Sequence, residues 1–523
     1  MSEVDLSSTR ADPGPPAGAV PAARGAAPAP TLLRSGAGTR ADVVIGLVAT
    51  LLGGLVFSWR VGTPSPWRDE AVSVAVAART PEQIRALVQH VDLVHAPFYF
   101  LAHALFGPSV DVVQVRWISV VAAALTAAAL HGVGRRAAAV AVGPAVSRLT
   151  GATAAALFVA TPFVSRYAQE ARPYALVTLV ATLSTYLLLR AGSGRRAGWW
   201  VGYALSLPVL VSLNTVAALV LLAHAGWALA AGPRVRWRAA LAAGTGVVLA
   251  LPLVVAQGRQ SGQVAFLQRP APGELLAHVD FALGSSPAAL AVAGLAALVA
   301  LVAARARRLV LLGVLWGVLP WPLLWGLSQV HPLWTTRYLV FVAPGTCLLL
   351  AAAVTVAVRA RRAGVLGAGL VLAVALAGLH LQLVFRSPSI GHGEDLRGTA
   401  EHVAAHARPG DGLLFVPDGE YRYRVLTQVY PEAFAGLDDL ALAEPAAPSA
   451  TLVGTTVPAR DLGAALAGVQ RIWVIGGVGP VVVRTPEDRE AVRLLSEGYR
   501  LVSTEEKRAF SVRLYVRTEP AAG

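Results

Sequence analysis

Lysine occurs once, at Lys507, and cysteine once, at Cys347, in a chain of 523 residues of which only 14% are charged. A single cysteine excludes an intramolecular disulfide and leaves the redox compartment unread. So little charge, beside 55% hydrophobic residues and a mean hydropathy of +0.59, excludes a soluble globule of ordinary composition. Acids are scarcest where the chain is most apolar. Between the first and last apolar runs there are eight, Asp69, Glu70, Glu82, Asp92, Asp111, Glu170, Glu274 and Asp280, and every one falls outside the runs themselves.

What remains is Ala, Leu and Val in stretches close to the roughly 20 residues that a helix needs to cross a bilayer. They predict eleven spans, at 43–59, 116–134, 149–164, 173–190, 198–213, 215–231, 239–256, 288–304, 309–327, 338–357 and 364–385. A net charge of +14 suggests nucleic acid in a soluble protein, but here arginines cluster between apolar runs and no nucleic-acid partner is expected. Arg135, Arg136 and Arg148, then Arg195 and Arg196, then Arg234, Arg236 and Arg238, then Arg305, Arg307 and Arg308, then Arg359, Arg361 and Arg362 mark one face, free of acids. By the positive-inside rule that face is cytoplasmic, and the eight acids share the opposite one. Splitting 198–231 at Asn214 keeps this alternation intact. The expected protein is therefore an α-helical polytopic membrane protein of the plasma membrane with its N-terminus cytoplasmic.

Three domains are expected. Residues 1–38, rich in Pro, Ala, Gly and Ser, read as a disordered cytoplasmic tail, with the first apolar run an uncleaved anchor. Residues 39–386 form the membrane domain. Residues 387–523 read as a small extracytoplasmic α/β domain, with helices at 395–407 and 486–497 and strands at 412–417, 471–475 and 511–516. Its IGGVGP stretch lacks the spacing of a nucleotide-binding fingerprint and reads as a turn. Between the first two spans, residues 61–115 are too apolar for a disordered loop; 81–90 is expected as a helix capped by Thr80, and 98–107 as an interfacial or re-entrant segment.

Four places on the acidic face carry candidate chemistry. Asp69 and Glu70 lie in PSPWRDEAVS; a solvated pair beside a membrane is the plain reading, but Trp67 and the following AVSVAVA hold the acids at a partly desolvated interface. In SRYAQEARPYAL, Arg166, Tyr167, Glu170 and Arg172 crowd a hairpin that needs only turn residues. Either Glu170 pairs with an arginine to close the turn, or the guanidinium forks await a phosphate. In HPLWTTRYLV, His331, Arg337 and Tyr338 serve equally as interfacial anchors or as site residues. His95 and His103 flank the half-length segment.

The ordered set WRDEA, HAPFYFLAHALFG, RWISVVAAALT, RYAQEARPYAL and TTRYLV resembles the GT-C membrane glycosyltransferases related to protein O-mannosyltransferases and aminoarabinose transferases, over about the first 390 residues. The soluble stretch EDLRGTAEHVAAHARPGDGLLFVP resembles the tail of many bacterial members. The resemblance implies inverting transfer of a mannose- or arabinose-like sugar from a polyprenyl-phosphate donor to a glycan, lipid or protein acceptor of the cell envelope, within membrane lipid. It implies Asp69 as base, with Glu70 beside it, and His95, Arg166, Tyr167, Glu170, Arg172, His331, Arg337 and Tyr338 as substrate-binding residues, Arg172 and Arg337 holding the departing phosphate. The family's HPP reads His95, Ala96, Pro97 here, its preceding acid is three residues off at Asp92, and Asn214 stands where His is common. These departures bear on the acceptor. No cofactor is called for; Asp69, Glu70, His95 and His331 are the residues able to ligate a divalent metal, without tight ligand spacing. The alternatives weighed are a transporter or flippase of lipid-linked sugar, and an envelope scaffold, but transporters favour ionisable groups at mid-membrane within repeated halves.

Overall fold

Helix α1 (Gly36–Ser58) is apolar along nearly its whole length, and past it the chain folds into a short layer of helices before re-entering the bundle. The structure, a computed structural model, describes residues 36–518 except 195, 389 and 418–420. The expected tail lies outside the described residues up to 35. The layer comprises α2 (Arg68–Ala77), α3 (Pro81–Val88) and α4 (Ala96–Phe106). Thr80 caps α3 as its sequence demands, its hydroxyl accepting from the Gln83 amide. Helix α2 was not anticipated: RDEAVSVAVA lacks helical amphipathicity because its residues from Glu70 to Ala77 are all buried.

The bundle continues through α5 (Val112–Ala138), α6 (Pro144–Ala160), α7 (Pro162–Ala168), α8 (Tyr174–Ser193), α9 (Gly198–Leu213), α10 (Val220–Ala231), α11 (Pro233–Arg259), α12 (Pro272–Leu283), α13 (Pro287–Ala303), α14 (Arg307–Gly317), α15 (Pro320–Leu327), α16 (Ala343–Ala352) and α17 (Ala360–Val384). Among the described residues seven helices or fused helix pairs are long and apolar enough to cross a membrane. The α12–α13 pair, bent by 88°, qualifies when taken together, and α6, α9 and the 215–231 segment are shorter. Each expected span coincides with one of these, and the chain is a multi-pass membrane protein. The bend places α12, unforeseen in the 257–287 link, against α7 and α15.

Close packing in this bundle rests on small residues. A Cβ on Gly134 of α5 would lie 3.0 Å from the Gly151 Cα of α6, so the two backbones approach to a distance that only glycine allows. At that end the arginine face is not free of acid, as expected from the links alone: Asp42 of α1 pairs with Arg135 at 3.1 Å and Arg148 at 3.4 Å. A lone acid among clustered arginines is drawn into the low-dielectric boundary by charge.

The C-terminal region carries α18 (Leu396–His406), β1 (Gly412–Val416), α19 (Tyr421–Val429), β2 (Asp438–Asp439), β3 (Leu442–Glu444), β4 (Thr455–Thr456), α20 (Ala459–Ala465), β5 (Arg471–Gly476), α21 (Pro486–Gly498), β6 (Tyr499–Lys507) and β7 (Phe510–Arg517). Five strands form one sheet in the order β2-β1-β5-β7-β6, with β1 parallel to β2 and β5 and the last two pairings antiparallel. β1, wholly apolar, and β5, apolar after Arg471, sit centrally, as buried strands must. The polar edge strand β6 went unread because its YRLVSTEEK has no buried face beyond Tyr499. The IGGVGP stretch leaves β5 as a loop, and α21 begins only at Pro486.

Candidate active site

Local sequence explains several of the acids. Asp111 forms a capping box with Gln114 at the start of α5, Glu274 accepts from the Ala271 amide at the start of α12, and Glu82 lies in the first turn of α3 beside Arg85. Asp69 and Glu70, neighbours in the first turn of α2, point to different tasks. Glu70 is buried and forms a two-pronged pair with Arg116 of α5, Nε to Oε1 at 2.7 Å and Nη2 to Oε2 at 2.8 Å. Oε1 also accepts from the Ala171 amide, and Arg116 Nη1 donates to the Val61 and Pro64 carbonyls. Both carboxylate oxygens are taken up by protein donors, so Glu70 is not free to serve a substrate as its neighbour Asp69 is. It joins loop 59–67, α2, α5 and the 169–173 hairpin.

Asp69 is the carboxylate left open. Oδ2 lies 3.9 Å from Nη2 of Arg172 and 3.9 Å from Nη2 of Arg337, too far for hydrogen bonds but within mutual attraction. Arg172 is fixed by its other contacts: Nη1 donates to the Asp69 carbonyl at 3.2 Å and the Ser73 hydroxyl at 3.3 Å. Its Nη2 lies 2.6 Å from His95 Nε2. A guanidinium only donates, so Nε2 accepts and the proton of neutral His95 sits on Nδ1. Burial, with Arg172 and Arg337 close by, holds His95 well below its ordinary pKa. Burial opposes the Arg172 charge, but Tyr174 and Asp69 hold it cationic.

Glu170 Oε2 is a buried acceptor left without a partner among the described residues, but most of the polar atoms left over here are donors. Arg172 Nε, Arg337 Nε, His95 Nδ1, Trp67 Nε1 and the Tyr174 hydroxyl are all buried without a hydrogen-bond partner among the described residues. Arg337 stands 5.2 Å from the Trp67 ring and 5.9 Å from that of Tyr338, whose ring is 6.5 Å from Tyr174. All five can donate, and four can do nothing else in this arrangement. Buried donors without acceptors are costly, and a multiply charged anion would satisfy several at once.

Glu170 meets this cluster through His392. Its Oε1 accepts from His392 Nε2 at 2.6 Å and lies 3.8 Å from Arg166, while His392 stacks on Trp67 at 4.0 Å. Burial raises the Glu170 pKa, but His392, Arg166 and Arg337 outweigh it and leave the carboxyl below its ordinary value. Arg166 also covers the Phe385 ring at 5.3 Å.

Of the expected residues, the structure gathers Asp69, His95, Arg172, Arg337 and Tyr338, with Glu170 and Arg166 adjoining. Tyr167 is buried in the wall against Tyr174 and Phe163. His331 is exposed and, among the described residues, hydrogen-bonds through its backbone to Leu327, with no contact to the cluster. His103 is spent on the Ala77 carbonyl. Among the described residues no three His, Cys, Asp or Glu side chains gather as a metal site would require. Sequence reasoning missed Arg116, although it lies in the RWISVV motif, and three C-terminal residues that reach α2 or the residues beside it. Those are His392, Glu394, which pairs with Arg68 at 2.8 Å, and Tyr421, whose hydroxyl donates to Asp69 Oδ1 at 3.2 Å.

Within the bundle a cavity of about 280 Å³ is lined almost wholly by apolar groups, among them Phe163, Leu275, Val279, Trp321, Val342 and Cys347. Aromatic rings link it to the charged cluster: Phe163 to Tyr167 at 5.3 Å and Tyr167 to Tyr174 at 5.8 Å.

No protein-family model and no curated protein matches the sequence. The fold has solved counterparts. The crystal structure of ArnT from Cupriavidus metallidurans bound to undecaprenyl phosphate is similar with a TM-score of 0.55 at 15% identity, over 90% of this chain and 97% of that one. Its apo form gives 0.55 at 14% identity, over 91% and 98%. ArnT is an aminoarabinose transferase of the GT-C superfamily, and the likeness shows that this chain has the GT-C fold, as its motifs led us to expect.

Proposed function

We propose that this protein is an integral-membrane glycosyltransferase that moves a mannose- or arabinose-like sugar, with inversion, from a polyprenyl-phosphate donor to a cell-envelope acceptor. The observation that carries this reading is the set of buried donors without partners among the described residues, on Arg172, Arg337, His95, Trp67 and Tyr174, with both guanidiniums 3.9 Å from the Asp69 carboxylate. A phosphate supplies the acceptors those groups require, and the adjoining apolar cavity suits the isoprenoid attached to it. The ArnT structure that shares the fold holds undecaprenyl phosphate.

In this reading Asp69 takes the proton of an acceptor hydroxyl as its oxygen attacks the anomeric carbon. The bond from that carbon to the phosphate oxygen breaks, and its electron pair leaves with the phosphate. Arg172 and Arg337 meet the growing charge with fixed cations that need no reorganisation. Glu70 and Arg116 hold α2 in place. The arginine-rich links face the cytoplasm, so that the chamber and the C-terminal domain lie across the membrane from it.

The test is transfer of tritiated sugar from polyprenyl-phosphate mannose and polyprenyl-phosphate arabinose in membranes carrying either the wild type or Asp69→Asn. Transfer by the wild type, reduced 10²-fold or more by the substitution, is expected. Equal transfer by both would remove Asp69 from the reaction.

A further inference from the structure

Helix α19 belongs to the C-terminal domain yet packs on α2, and its first residue reaches the open carboxylate. The Tyr421 hydroxyl donates to Asp69 Oδ1 at 3.2 Å, and among the described residues it is the hydrogen-bonding partner of that side chain. On the other oxygen, two guanidiniums wait at 3.9 Å each. That gap is unusual. A carboxylate free to turn beside two arginines would close to the 2.7–2.9 Å of a charge-assisted pair. Once there, it would neutralise the groups that the departing phosphate needs and become a weaker base toward an acceptor hydroxyl.

We propose that Tyr421 is a positioning residue: by holding Oδ1 it keeps Asp69 off Arg172 and Arg337, leaving the guanidiniums for phosphate and the carboxylate for the acceptor hydroxyl. The inference rests on the transferase reading above. It gives the C-terminal domain a part in the reaction distinct from binding an acceptor, since the domain sets which way the base faces. Burial, together with Asp69 itself, raises the Tyr421 pKa, so the phenol stays protonated and able to donate. Tyr421→Phe keeps the ring that packs on α2 and removes only the hydroxyl.

The experiment is a double-mutant cycle on the full-length protein in nanodiscs, with undecaprenyl phosphate as the probe and its Kd as the readout. In the wild-type background Y421F should weaken undecaprenyl phosphate about three- to tenfold, because Asp69 turns onto the arginines. In the D69N background, where a neutral amide cannot neutralise them, Y421F should change Kd by less than about twofold. Where transfer is measured, kcat falls in Y421F at saturating donor. An unchanged Kd in the first background overturns the proposal, as does equal weakening in both, which would mean that Tyr421 acts through the fold. If none of the four proteins binds the probe, the transferase reading itself fails and takes this inference with it.

Discussion

Arg116 and Glu70 lie 46 positions apart in the chain and meet through two parallel hydrogen bonds of 2.7 and 2.8 Å, both side chains being almost wholly buried. Breaking such a pair strands a charge, which costs about 3–5 kcal/mol. Glu70→Ala and Arg116→Ala should therefore each lower the apparent Tm in detergent by several degrees. Arg116→Lys should fail to rescue, because an ammonium cannot serve two carboxylate oxygens and the Val61 and Pro64 carbonyls together. Asp69→Asn should leave Tm nearly unchanged. The pair of adjacent acids thus divides by assay: substitution of one lowers stability, of the other transfer. A Glu70→Ala protein that melts like the wild type would refute this division.

Arg337 carries an Nε without a partner among the described residues and a guanidinium that stands 3.9 Å from Asp69. If it stabilises the leaving phosphate, Arg337→Ala should reduce transfer by about 10²- to 10³-fold, a range typical for removal of one preorganised donor. Undecaprenyl phosphate should bind more weakly as well, by calorimetry or native mass spectrometry. Arg337→Lys should recover only part of the loss, since a point charge cannot match the planar fork. Full activity in the lysine variant would assign Arg337 a purely electrostatic task.

His95 should make stability depend on pH over a window of its own. Its pKa in the folded protein lies well below the ordinary 6.5, so the unfolded chain takes up the proton first as pH falls. The stability due to this group is present in full above about 6.5 and is lost progressively below it, with a slope of at most about 1.4 kcal/mol per pH unit. Glu170 is also depressed, from 4.5, and its contribution fades only at lower pH still. Apparent Tm followed from pH 7.5 to 5 should fall in the wild type. His95→Gln, whose amide oxygen can still accept from Arg172, should flatten that slope. A slope unaltered by the substitution would place the titration elsewhere.

Much of the membrane domain was legible because hydrophobic length and arginine placement are local signals, which is why every expected span has a helix under it. The bent α12–α13 pair was half missed, since GELLAHVDFAL mixes acids with apolar residues over too short a stretch to register as a span. Within the site, Asp69, Arg172 and Arg337 were found through their motifs. The partner of Glu70 was not, because an arginine at the start of a span reads as an interfacial anchor until its carboxylate is seen. His392, Glu394 and Tyr421 were out of reach for a related reason. Their partners lie more than 200 positions away in sequence, and no periodicity links a soluble domain to a loop between the first two spans.

His392 reaches that loop through the short GHG turn of residues 391–393, and the turn is built on two glycines for different reasons. Gly393 takes φ +78°, a left-handed conformation in which a side chain is strained, and His392 itself stands at +50°. Gly391 is needed for space: a Cβ there would lie 2.6 Å from the Ser65 carbonyl oxygen, a backbone atom that cannot swing aside. The turn is held against loop 59–66 by Arg397, which donates to the Gly62 and Thr63 carbonyls, and by Glu394, which accepts from the Arg68 amide. Gly391→Ala must therefore lift His392 from Trp67 and Glu170, or push the loop that carries Asp69. Either displacement should lower transfer by tenfold or more, since shifts of about 1 Å at remote positions can cost 10²-fold. Tm should change little, because the turn lies outside the packed bundle. His392→Ala separates the two routes: if it matches Gly391→Ala in transfer, the histidine is what the turn exists to place, and if it stays near wild type, the turn acts through the loop beneath it.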